Sequence, residues 1–195
     1  MENSKKTPNQ YLIWIVIFIC GFISGVGVAV YKLQPTATEN AATNQQTQGG
    51  VDHNVLHKLE EEVKNNPDNH QAWIQLGHLY FDSNQPVKAI EAYEKSLSLA
   101  PGNPDLWTDL GIMYRRAENP QKAIECFEKA TSLNPNHEQS RFNKGIVLLY
   151  DIGDTEKAIV SFEELLAINP EAQSSNGGRI ADFVEHLKSK AAKKK

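Results

Sequence analysis

The stretch NPDNHQAWIQLGHLY, residues 66–80, decides how this chain is read. Polar residues surround Pro67, and an apolar pattern opens at Trp73 and continues through Leu76 and Tyr80. After an interval of 34 residues, GNPDLWTDLGIMY sets Trp107, Leu110, Gly111 and Tyr114 where Trp73, Leu76, Gly77 and Tyr80 stood. Pro67, Pro101 and Pro135 keep the same interval of 34, and Pro170 follows after 35. Ala89 and Ala123 repeat with it, as do Tyr93 and Phe127. A fixed period of roughly 20 to 50 residues marks a stacked array in which each unit buries its apolar face against the next.

The slots follow from physics. Trp73, Leu76 and Tyr80 lie three or four residues apart and make one apolar stripe on a first helix. Gly77 sits inside that stripe and returns as Gly111 and Gly145. Because a mid-helix glycine costs about 1 kcal/mol against alanine, its recurrence predicts a place where a second backbone approaches closely. Ala89 and Ala123 are the matching small residues of a second helix, with Tyr93 and Phe127 filling the space beside them. SNQP and AENP turn the chain, while APGNP and NPNHE end each unit.

These residues, W-x2-L-G-x2-Y, then A-x3-F, then P, in register over three copies, resemble the tetratricopeptide repeat from about residue 53 to 170. The resemblance implies an all-α solenoid of helical hairpins. The third copy departs from the pattern, with Arg141 in the tryptophan slot, Lys144 in the leucine slot and one extra residue within DIGD. Phe142 is the expected compensation on that helix. Exposed solenoid ends need capping. Val55, Leu59 and Val63 predict a lone second helix before the first copy, and Ile180, Phe183, Val184 and Leu187 a lone first helix after the third. The expected organisation is a capping helix over 53–69, repeats over 70–103, 104–137 and 138–172, a second cap over 173–190 and a basic tail over 191–195. That makes eight helices, and no segment alternates with the period of a strand.

Upstream, YLIWIVIFICGFISGVGVAVY, residues 11–31, contains no charged residue. At about 1.5 Å per residue it reaches roughly 30 Å, the thickness of a bilayer's hydrocarbon core. Its length favours an uncleaved transmembrane anchor over a cleaved signal, although Gly27 and Ala29 supply small residues in a cleavage-like pattern. Lys5 and Lys6 precede it and Lys32 alone follows closely, which favours a cytoplasmic tail over 1–10. In a bacterium the repeats then face the periplasm from the inner membrane, as a single-pass protein. Residues 32–52 read as a flexible polar linker. Gly21, Gly25 and Ala29, at four-residue spacing, offer a small-residue ridge for a homodimer through the anchor.

Charge and motifs narrow the function. Residues 52–170 carry 19 acidic and 11 basic side chains, an excess of eight acids that argues against nucleic-acid binding. His53 and His57 lack the spacing signature of a metal site, and Cys126 beside Phe127 reads as a small core filler. With no C-x-x-C-H, phosphate loop or nucleophile elbow, neither an enzyme nor a cofactor is expected.

What remains is a protein or peptide ligand held in a concave groove. Its expected lining is Gln71, Gln75, His78 and Phe81, then Asp105, Asp109, Ile112 and Arg116, then Asn143 and Ile146. Asp105 and Asp109 form an acidic patch suited to a cationic partner. The lysine clamp of chaperone-binding members of the family is absent, since Ile74, Thr108 and Phe142 occupy its lysine slots. The layout of span, linker and three repeats resembles membrane-anchored bacterial repeat proteins of cytochrome c biogenesis. A scaffold or adaptor in periplasmic protein-complex or cytochrome c assembly is therefore the leading expectation. A cytosol-facing membrane receptor for precursor proteins is the alternative.

Overall fold

The computed structural model describes residues 53–193, and the expected cytoplasmic tail, anchor and linker lie outside them. Among the described residues there are eight α-helices: α1 (His53–Asn65), α2 (His70–Asp82), α3 (Pro86–Leu99), α4 (Pro104–Arg116), α5 (Pro120–Leu133), α6 (Glu138–Val147), α7 (Thr155–Ile168) and α8 (Ile180–Ala192). A π-helical segment, Leu148–Ile152, continues α6. The architecture is an all-α solenoid in which α2/α3, α4/α5 and α6/α7 are hairpins between the lone helices α1 and α8. None of these helices is long and apolar enough to cross a membrane.

Local chemistry sets the ends. Asn69 Oδ1 accepts from Ala72 N at 3.2 Å, Asn103 Oδ1 from Leu106 N at 3.2 Å, and Asp154 Oδ1 from Lys157 N at 3.0 Å, each satisfying an orphan donor of a first turn. Pro86, Pro104 and Pro120 stand in first turns, where a missing N–H loses no bond. Inside each hairpin the chain reverses through one left-handed residue: Asn84 (φ 53°), Glu118 (φ 58°) and Gly153 (φ 83°). The third reversal comes one residue later after its helix, and the π-helical winding absorbs that residue, with Asp154 N bonding Leu148 O at 2.8 Å.

The recurring slots have assigned partners. Trp73 Nε1 donates to Pro67 O at 2.9 Å and Trp107 Nε1 to Pro101 O at 2.8 Å, tying each first helix to the proline loop before it. The glycines do not admit a backbone, as the sequence reading expected. Each admits an aromatic ring of its hairpin partner: Tyr93 on Gly77, Phe127 on Gly111 and Phe162 on Gly145. All three rings are fully buried.

Three further expectations need correction. Val55 is 42% exposed, and α1 packs instead through Leu56, Leu59 and Val63. Lys144, expected to weaken α6, reaches Glu128 Oε1 on α5 at 2.8 Å, while Phe142 lies against Phe162 with ring centroids 6.0 Å apart. The second cap also runs past residue 190 to Ala192, after a loop closed by an isolated bridge between Gln173 and Arg179.

A methyl group on Gly111 would sit 2.5 Å from Phe127 Cε1, closer than a buried ring tolerates. Gly111→Ala is expected to destabilise the domain by about 1–3 kcal/mol, overpacking outweighing the gain of about 1 kcal/mol in helix propensity. Gly102, with open space around it, should accept alanine within about 0.5 kcal/mol. Thermal melting followed by circular dichroism checks both, and equal melting of the two variants would refute the ring-on-glycine account.

Candidate functional site

The first helices α2 and α4 lie side by side, and the contacts between them fall on residues that the sequence assigned to the groove. His78 Nε2 of α2 stands 3.5 Å from Asp109 Oδ2 of α4. One turn further on, the Arg116 guanidinium covers the Phe81 ring at 4.4 Å from its centroid and donates to Phe81 O at 3.1 Å. Gln71 and Gln75 are exposed on α2. Asn143 on α6 donates to Gln139 O at 2.9 Å. Ile112 and Ile146 are half-buried and pack against the core, so they support the groove floor more than they present an apolar patch.

The acidic patch is not free. Asp105 is 82% exposed, but its Oδ1 accepts from His137 Nε2 at 2.8 Å. His137 Nδ1 in turn meets Ser140 Oγ at 2.8 Å, and Ser140 Oγ meets Thr108 Oγ1 at 2.6 Å. The Asp–His–Ser order is that of a hydrolytic triad, but Ser140 is 0% exposed between α4 and α6, sealed from any substrate. This chain of bonds is a joint between the second and third repeats. Thr108, at a slot where clamp-bearing relatives carry lysine, is buried within it. The signal was present in the sequence, since His137 occupies the capping slot of Asn69 and Asn103 at the same interval of 34.

A second feature was missed. Tyr93, fully buried, carries a hydroxyl with no hydrogen-bond partner, whereas the equivalent Phe127 and Phe162 have no hydroxyl to satisfy. Burial pushes its pKa strongly upward, and the charges that reach it are those of Asp109, Asp82 and Arg116. His78 lies edge-on to the same ring, with centroids 5.7 Å apart. An unpaired buried hydroxyl costs about 1–3 kcal/mol, so its presence only in the first repeat is a distinguishing mark.

The opposite face carries repeating staples. Tyr80 donates to Glu60 Oε1 at 2.7 Å beneath Lys88, and Tyr114 donates to Glu94 beneath Lys122. Burial and the Glu60 contact push Tyr80 up to about 12. Cys126, buried nearby, is likewise pushed up to about 12 by desolvation, which leaves it a protonated core thiol. A cleft of about 750 Å³ lies elsewhere, between the π-helical segment and α8, over Leu149, Phe183 and Leu187.

Residues 76–144 and 138–171 each match a tetratricopeptide repeat family model. Residues 76–171 thus carry tetratricopeptide repeats. Among solved structures it is similar to MamA, at 25% identity and a TM-score of 0.59 over 71% of this chain and 75% of that one. It also shares its fold with YrrB, described as a repeat protein with an unusual peptide-binding site, at 24% identity and a TM-score of 0.54 over 60% of this chain and 59% of that one. The first repeat domain of Spaghetti (RPAP3), bound to the HSP90 peptide SRMEEVD, aligns at 20% identity and a TM-score of 0.52 over 73% of this chain and 97% of that domain. No curated protein matches the chain.

The hydrogen bond that His78 donates to Asp109, outweighing the opposing effect of burial, raises the pKa of His78 above the ordinary histidine value. A raised folded value means that the contact contributes its full stability in acid and loses it as pH climbs through that value. A titration of the His78 ring protons by NMR should give a pKa above about 6.5, and Asp109→Asn should return it to that ordinary value. Identical titrations in the two proteins would mean that the pair does not form in solution.

Proposed function

We propose that this chain is a membrane-held scaffold that presents the inner face of its repeats to an extended segment of another protein. Tetratricopeptide domains are protein-interaction scaffolds, and the observation that carries the reading here is the alignment of α2 and α4. Their exposed Gln71, Gln75, His78 and Arg116, with the half-buried Asp109, make one polar track over a firmly packed floor. Rigid helices supply a preorganised surface, which lowers the ordering cost of capturing a flexible segment. The peptide-binding description of YrrB and the peptide bound to Spaghetti support the same use of the fold. An acidic peptide such as SRMEEVD suits this chain poorly, because its repeats carry excess acid and Ile74, Thr108 and Phe142 stand in the clamp's lysine slots.

The finer reading rests on the sequence. The uncharged run over residues 11–31 serves as a bilayer anchor, Lys5 and Lys6 keep the N-terminus inside, and the repeats face the bacterial periplasm. Assembly of periplasmic complexes, cytochrome c among them, is the role that matches this layout. The ridge of Gly21, Gly25 and Ala29 is the proposed route to a dimer within the membrane.

Two measurements test this. With Cys20 and Cys126 replaced, a cysteine at Thr47 is expected to react with a membrane-impermeant thiol reagent once the outer membrane is permeabilised; reaction only after lysis reverses the topology and favours the precursor receptor. A photocrosslinker at Gln75 should capture protein in intact membranes, while one at Val87, 62% exposed on α3, should not. Equal capture at both positions refutes the groove.

A further inference from the structure

We propose that the groove between α2 and α4 contains a site for a cationic side chain, a lysine or arginine of the docked segment. Asp109 takes its charge, and the Tyr93 oxygen accepts one of its hydrogen bonds. The inference rests on the groove reading and names the chemistry that the groove selects.

The buried Tyr93 hydroxyl is the first ground. The ring is fixed by its seat on Gly77, and its hydroxyl is sealed and unpartnered. Phe127 and Phe162 fill the same slot in the other repeats, so packing does not require the oxygen. Buried polar groups are ordinarily paired, and one left unpaired beneath a groove is accounted for by a group that arrives with the ligand.

Charge is the second ground. The charged side chains that reach this hydroxyl are Asp109 and Asp82, against the single cation Arg116. Arg116 is already engaged by the ring and carbonyl of Phe81. An anionic ligand would meet two carboxylates, whereas an ammonium or guanidinium finds a carboxylate and a neutral phenol oxygen, both of which accept its N–H groups.

His78 is the third. It stands edge-on to Tyr93 with Nε2 3.5 Å from Asp109, and its side chain is 52% exposed. An exposed pair at that distance is weak and easily exchanged. His78 thus occupies the place of the incoming cation in the empty groove, and swings outward to uncover the Tyr93 oxygen when the ligand takes Asp109. Three groups face His78 here: Asp82 on its own helix, Tyr93 on α3 and Asp109 on α4. Loss of its proton releases Asp109, so cation affinity rises with pH across the His78 titration.

The test uses the purified full-length chain and three blocked tripeptides, acetyl-Ala-X-Ala-amide with X lysine, norleucine or glutamate, titrated by NMR. The lysine peptide should bind best, shift His78 and Tyr93, and bind more tightly at pH 8 than at pH 6. Tyr93→Phe should weaken it by about tenfold, the scale of one hydrogen bond to a charged group, without lowering the melting temperature. His78→Ala should strengthen it by removing the competitor, a change that general damage to the groove cannot mimic. Equal binding of the lysine and norleucine peptides, preference for glutamate, or unchanged affinity in Tyr93→Phe overturns the site. If the photocrosslinker at Gln75 still captures protein in that case, the groove stands and the cation site alone falls.

Discussion

Everything in this domain depends on an aromatic ring seated on a glycine. In each hairpin the second helix contributes a ring, and the first helix leaves out a side chain to receive it. The omission costs helix propensity, about 1 kcal/mol per glycine. The return is a fully buried ring that fixes how far apart, and at what rotation, the two helices cross. Once that crossing is set three times, the remaining faces of the first helices have no choice of direction. They lie beside one another, and the groove is the surface left over.

The repeat was legible because a period exposes equivalence. The interval of 34 placed Trp73 with Trp107 and Tyr93 with Phe127, and the capping logic predicted the eight-helix count. A period does not say what opposes a slot, however. Gly77 was read as an approach of two backbones because spacing alone cannot tell a backbone from a ring lying flat against it. Val55 was placed on the packing stripe with Leu59 and Val63, but α1 is rotated so that Leu56 turns inward and Val55 stands exposed. Lys144 reads as a defect in an apolar slot until Glu128, on the preceding helix, is seen within reach.

The candidate site was legible in its positions and not in its pairings. Spacing along α2 and α4 put His78, Phe81, Asp109 and Arg116 on one face, but two carboxylates in one sequence look like free charge. In the folded chain each has a histidine, Asp105 holding His137 and Asp109 holding His78. Departures from the repeat were the better guide. His137 in an asparagine slot marks the polar joint between repeats, and Tyr93 in a phenylalanine slot marks the orphan hydroxyl.

The buried apolar side chains fall into two clusters that meet along α6. One runs from Val63 to Val147, and the second, from Leu148 to Leu187, also takes Phe142 and Ile146 of α6. Ile124 packs against both. Polar contacts reinforce the junction of the second and third repeats, with the Arg115 guanidinium gripping Asp151 at 2.5 Å and the Asp105–His137–Ser140 series close by. In a solenoid each repeat contacts only its neighbours, so the third repeat reaches the first through this joint. Asp105 thereby ties the charge on the groove's face to the seating of α6.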